Sequence, residues 1–156
     1  MVSRIIKFLN EIRFLPRKID QIMESLGQIH AVVKKIQDGS LADSEFRVYS
    51  QWGEDGILEH IIHNTDIANR VFIEFGVENY LQSNTRFLLK NRNWEGLVID
   101  GSKKNIDFVK SDLISYTNTI HARCEFITKE NIDDIISQHY SGNVGLLSID
   151  IDGNDY

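Results

Sequence analysis

Short apolar runs at 71–75, 96–100 and 144–150, with a fourth near 118–124, are separated by stretches of helical spacing. That alternation constrains the fold more than any other feature. Runs of this length bounded by Gly, Asn or Asp are predicted strands. The intervening segments predict helices near 53–63, 83–91, 103–114 and 129–139, the last with Thr128 as its N-cap. Strands that alternate with helices connect through right-handed crossovers, so the expected architecture is α/β with a parallel sheet.

The first 38 residues follow a different period. Ile5, Ile12, Ile19, Leu26 and Val33 recur at one heptad position, and Phe8, Leu15, Ile22, Ile29 and Ile36 recur three residues later. An apolar residue at every a and d position over five heptads is the pattern of a coiled-coil seam. β-branched residues at a favour a dimer and Ile at d favours a trimer, so the number of strands stays open. Pro16 is expected to kink or split the helix near Leu15, and Gly27 to weaken it. The first expectation for this amphipathic arm is a homo-oligomer through residues 1–38. The second is packing on its own domain. The third is peripheral membrane contact, because Arg4, Lys7, Arg13, Arg17 and Lys18 accompany Ile5, Ile6, Phe8 and Leu9. Residues 39–48 read as a polar linker after the stop at Asp38-Gly39-Ser40, and 49–156 as the α/β domain.

Charge narrows the partners. The arm holds seven Lys/Arg against four Asp/Glu, whereas residues 39–156 hold ten against nineteen. An acidic domain argues against nucleic acid, whose phosphates need clustered cations. The lone Cys124 excludes an intrachain disulfide and suits a cytoplasmic location. Lys7, Glu11 and Arg13 interrupt any signal-peptide core, and no apolar run approaches a transmembrane length. His60, His63, His121 and His139 are scattered and read as surface or capping residues.

In a parallel sheet, ligands bind outside the carboxyl ends of the strands, and the polar residues gather there. The first strand runs into Glu74, Gly76, Glu78 and Asn79; the second ends in Asp100, Gly101 and Ser102; the last reaches Asp150, Asp152 and Gly153. Gly76 also suits a sharp turn, and Asp100 or Ser102 a helix cap, so for any one residue the structural and functional readings are about even. Jointly they predict a nucleotide site, with Asp100 placed to accept hydrogen bonds from ribose hydroxyls. A dinucleotide fingerprint needs further glycines after Gly76, and Glu78 stands there instead. A carboxylate at that turn repels a pyrophosphate but pairs with an ammonium group, as does Glu74, which favours S-adenosylmethionine over NAD. Asp150, Asp152 and Asp155 lack the order and closing Glu of a calcium loop, so no metal is assigned.

The motifs Ser50-Gln51-Trp52-Gly53-Glu54-Asp55-Gly56, Phe72-Ile73-Glu74-Phe75-Gly76, Ser83-Asn84-Thr85, Ile99-Asp100-Gly101-Ser102 and Leu147-Ser148-Ile149-Asp150-Ile151-Asp152-Gly153 together resemble the FkbM-like class I methyltransferases. The resemblance covers 49–156 and none of the arm. It implies a seven-stranded Rossmann-like sheet, S-adenosylmethionine as methyl donor, and O-methylation of a sugar, glycan or other small hydroxylated acceptor. It places Glu74 and Gly76 in the methionine-side loop and Asp100 on the ribose. Gln51, Asp55, Asn84 and Thr85 would line the pocket, with Asp150 near the sulfonium. Asp152 is the candidate general base. Glu78 stands where many methyltransferases have glycine. Such a domain continues past a fourth strand, so the chain is expected to be truncated, poorly soluble and of little or no activity. The rival expectations are an NAD- or nucleotide-sugar-dependent enzyme, or a scaffold with a degenerate nucleotide domain.

Overall fold

The computed structural model describes residues 2–36 and 40–151. In chain order these form α1 (Val2–Ile36), a 3-10 turn (Ala42–Ser44), α2 (Glu54–Asn64), β1 (Val71–Phe75), α3 (Arg86–Arg92) and β2 (Glu95–Asp100). There follow α4 (Lys103–Ser111), α5 (Ile114–Thr117), β3 (Ile120–Cys124), α6 (Ile132–Ser137) and β4 (Leu146–Ile149). All strand pairs are parallel and the sheet order is β3-β2-β1-β4. The expected Rossmann-like α/β fold is therefore what these residues form.

The apolar runs are continuous because the central strands are covered on both faces. Phe72 and Val98 pack with Leu88, Leu89, Trp94, Val109 and Ile114 on one side. Ile73, Phe75, Leu97 and Ile99 pack with Ile135 on the other. Gly96 makes room for a neighbour on the sheet, since a Cβ there would lie 2.1 Å from Phe72 Cζ.

Element ends depart from the sequence reading for identifiable reasons. The helix predicted from 83 starts at Arg86, because Ser83, Asn84 and Thr85 direct their donors at Glu74 instead. The helix predicted over 103–114 breaks at Asp112, whose backbone is extended (ψ 147°) and whose carboxylate meets Arg86 Nη2 at 3.2 Å. Thr128 opens the turn before α6 rather than taking the cap position: its Oγ1 accepts from the Glu130 amide at 3.3 Å and its amide donates to Asn131 Oδ1 at 2.7 Å. Its carbonyl accepts from the amides of Asn131 and Ile132, and Asn131 holds the cap position. Residues 40–48, read as linker, are packed: Ser44 and Phe46 are buried, and the Phe46 ring meets His30 and Phe87 at centroid distances of 5.6 and 5.5 Å.

The arm is one helix, and the split expected at Pro16 does not occur. Proline removes one backbone donor, and on this exposed stretch water can satisfy the carbonyl left over. Gly27 is the close contact with the domain; a Cβ there would lie 2.4 Å from Val48 Cγ2 and 2.9 Å from Phe87 Cε2. Beside it Glu24 accepts from the Tyr49 hydroxyl and from Lys90 Nζ. The eight described residues of the heptad seam take no part in this docking. Ile5, Ile12, Leu15, Ile19, Ile22, Leu26, Ile29 and Val33 remain 44–60% exposed.

Candidate functional site

After β3 the chain returns across the sheet to place β4 on the far side of β1, so the winding reverses between β1 and β4. The crevice outside the carboxyl ends at such a reversal is where open α/β sheets bind ligands. Several of the sequence-predicted residues meet there.

Gly76 is required by backbone geometry twice over. Its φ is +75°, and a Cβ would lie 1.6 Å from the Asp150 carbonyl oxygen. The Gly76 amide donates to Ile99 O at 3.0 Å and the Asp150 amide to Phe75 O at 3.1 Å, which ties the ends of β1, β2 and β4 together. Beyond the glycine, Glu78 and Tyr80 also take left-handed backbone, with φ 47° and 62°. Glu78 thus occupies the conformation that glycine tolerates best, and two non-glycine residues in that region mark a loop held by its surroundings.

The Asp100 carboxylate is half-buried and reaches across to that loop. Its Oδ2 accepts from the Glu78 amide at 2.9 Å, while Oδ1 accepts from the Ser102 amide at 2.8 Å and Asn105 Nδ2 at 3.2 Å. A carboxylate offers about four acceptor positions, and the described residues fill three of them, which leaves one on Oδ2 among those residues. Ser102 is the N-cap of α4, its hydroxyl accepting from the Asn105 amide at 3.4 Å. Gly101 lies under the Phe126 ring, which would be 2.4 Å from a Cβ at that position. Phe126 is 78% exposed, so a flat apolar ring stands open to solvent over Gly101, the residue after Asp100.

Other predicted residues do supporting work. Glu74 is fully buried, with Oε2 accepting from the Ser83 hydroxyl, the Thr85 hydroxyl and the Thr85 amide and Oε1 from the Asn84 amide, at 2.5–3.2 Å. The reading of Glu74 as a direct ammonium partner needs an exposed carboxylate; this one is spent within the protein. Burial pushes its carboxyl up from the ordinary range, against those four hydrogen bonds. Thr85 passes the network on: its hydroxyl donates to Glu74, so the Tyr80 hydroxyl, 2.9 Å away, donates to Thr85. Asp55 is also buried. Its Oδ2 accepts from the amides of Val48, Tyr49 and Ser50 at 2.7–2.9 Å, and burial raises its carboxyl as well. Asp55 therefore fixes the loop before α2. Gln51 in that loop is exposed. Asn84 Nδ2 reaches Ser148 Oγ on β4 at 3.4 Å, joining the two sides of the crevice. Asp152, the candidate base, lies outside the described residues.

Three contributors escaped the sequence reading. Asn105 follows Asp100 at a spacing that brings its amide back to the carboxylate, a cue visible only once Ser102 is known to cap α4. Phe126 follows β3 by two residues and has no motif around it. Arg86, buried between Tyr49 and Tyr80 and bonded to Tyr80 O at 2.9 Å, carries no local cue, because Tyr49 lies on a distant loop. His121 and His139, far apart in sequence, meet edge to face at 5.7 Å. Among the described residues, no group of three or more His, Cys, Asp or Glu is arranged to hold a metal ion. A cleft of about 600 Å³ between α1 and the α3–α5 face, lined by Arg17, Glu24, Lys90 and Phe108, lies away from the β1–β4 reversal. No helix among the described residues is long and apolar enough to cross a membrane. Comparison with protein-family models, with curated proteins and with solved structures finds no match.

Proposed function

We propose that the crevice beside Asp100 binds S-adenosylmethionine and that the chain belongs to a methyltransferase acting on a sugar or other small hydroxylated acceptor. The observation that carries this reading is the pairing of Asp100 with Phe126 at the ends of β2 and β3. One open carboxylate acceptor next to an open aromatic ring suits a ribose joined to a purine. The ribose would take the free position on Oδ2, and a second hydroxyl bond would displace Asn105 Nδ2. The purine would stack on Phe126, a contact worth about 1–3 kcal/mol per base. The exposed carboxylate of Glu78 is better placed than buried Glu74 to meet an amino-acid ammonium group. S-adenosylmethionine supplies an activated methyl group. The protein's task is to orient the acceptor and take its proton, for which Asp152 is the proposed base.

The test is calorimetric titration with S-adenosylhomocysteine, NAD and a nucleotide sugar in turn. Saturable binding of S-adenosylhomocysteine alone is the expected result. Phe126→Ala should weaken it about 5-fold to 150-fold with the melting temperature little changed, since the ring is exposed. Binding of NAD or the nucleotide sugar instead would replace this reading with a different Rossmann enzyme. Binding of none would leave a scaffold.

A further inference from the structure

We infer that α1 is a coiled-coil strand that associates in parallel with the same helix of a second copy, while its opposite side carries the α/β domain. The seam and the docking stripe are separate on the helix. Glu24, Gly27 and Ala31 form the inward stripe, and all three are half-buried or buried. In the heptad they take positions f, b and f, turned away from a and d. The eight described seam residues are therefore uncovered together along the helix rather than shared with the domain.

The period of the seam selects its partner. A straight α-helix drifts about 20° per heptad against a strict seven-residue repeat, so from Ile5 to Val33 the seam turns by roughly 80° around the helix. A flat membrane surface or a straight groove loses contact along such a spiral. A second helix with the same repeat follows it by supercoiling, and another copy of this chain has that repeat by identity. The charges agree with a parallel register. Arg4, Glu11 and Lys18 at g then face Leu9, Pro16 and Met23 at e of the partner, so no like charges meet. The area is sufficient too. Eight side chains at roughly 80–100 Å² each cover about 1,300–1,600 Å² between two copies, within the range of stable protein interfaces.

Sedimentation velocity of the whole chain over a concentration series tests the inference. The expected result is a discrete species at a multiple of 18.0 kDa. Ile22→Glu with Ile29→Glu should reduce it to monomer and leave the domain's melting temperature unchanged, since both residues are exposed. In a Cys124→Ser background, oxidation of Leu26→Cys should link two chains, because a positions face one another only in the parallel register. A wild-type chain that stays monomeric at about 100 μM, far above a micromolar dissociation constant, overturns the inference. That holds whether or not it floats with phosphatidylserine vesicles. Failure to cross-link in an associated species overturns the parallel arrangement.

Discussion

The carboxylate of Glu74 collects hydrogen bonds from three consecutive residues, Ser83, Asn84 and Thr85, and none of those bonds is visible in the sequence. An acid one residue before Phe75-Gly76 at a strand end reads equally well as a ligand group or as an internal strut. The difference is burial, which depends on where the 83–85 turn comes to rest. Glu74→Ala would strand two backbone amides and two hydroxyls in the interior, and each unsatisfied buried group costs about 1–3 kcal/mol. With partial relaxation we expect a loss of about 3 kcal/mol in urea unfolding. The pH dependence follows from the raised carboxyl. Folding then favours the protonated form, so its contribution is complete below the ordinary value of 4.5 and is lost as pH rises through the higher folded value. Glu74→Gln cannot titrate. Relative to that variant, the wild-type chain should lose stability as pH rises from about 4 through that window. An unchanged difference between the two proteins across the window would rule out the raised carboxyl.

At the scale of elements, β1 and β2 were legible almost to the residue, because a run buried on both faces leaves a signal that needs no knowledge of its neighbours. Helix limits were not. α3 begins late and α4 stops early because Ser83–Thr85 and Asp112 spend their polar groups on distant partners, Glu74 and Arg86. Gly27 carried a cue that pointed the wrong way: a mid-helix glycine reads as a weak point, and its use is to let α1 approach Val48 and Phe87. Gly27→Leu separates these views. On helix propensity alone, leucine stabilises the arm by nearly 1 kcal/mol. At a contact with no room for a Cβ, it overpacks at a cost of about 1–3 kcal/mol or drives the arm off the domain. We expect the melting temperature to fall by several degrees. The Glu24 contacts with Tyr49 and Lys90 should loosen with it, read as faster amide exchange around residues 48–50 and 90.

On the scale of the whole molecule, two of the apolar surfaces that face solvent among the described residues differ in what association through them would build. The seam of α1 runs along a helix held on its other side by the domain, so copies can close into a small symmetric bundle. Strand β4 pairs only with β1 among the described residues, and Leu147 and Ile149 are about half exposed beside that free edge. An uncovered edge of this kind templates further strands and sets no limit on their number. The sequence showed the seam because its period is internal to one segment. The open edge of the fourth strand was expected only from the resemblance to a domain that continues past it, and the order β3-β2-β1-β4 shows which neighbour that strand has among the described residues. Association should therefore have two separable parts. Leu147→Lys with Ile149→Lys should suppress concentration-dependent light scattering and leave the discrete species from the arm intact. The two lysines replace side chains that are already exposed, so the melting temperature should shift by only a few degrees. The seam substitutions should do the reverse, removing the discrete species and leaving the scattering. If the lysine pair instead dissolves the discrete species, the edge and not the arm joins the chains.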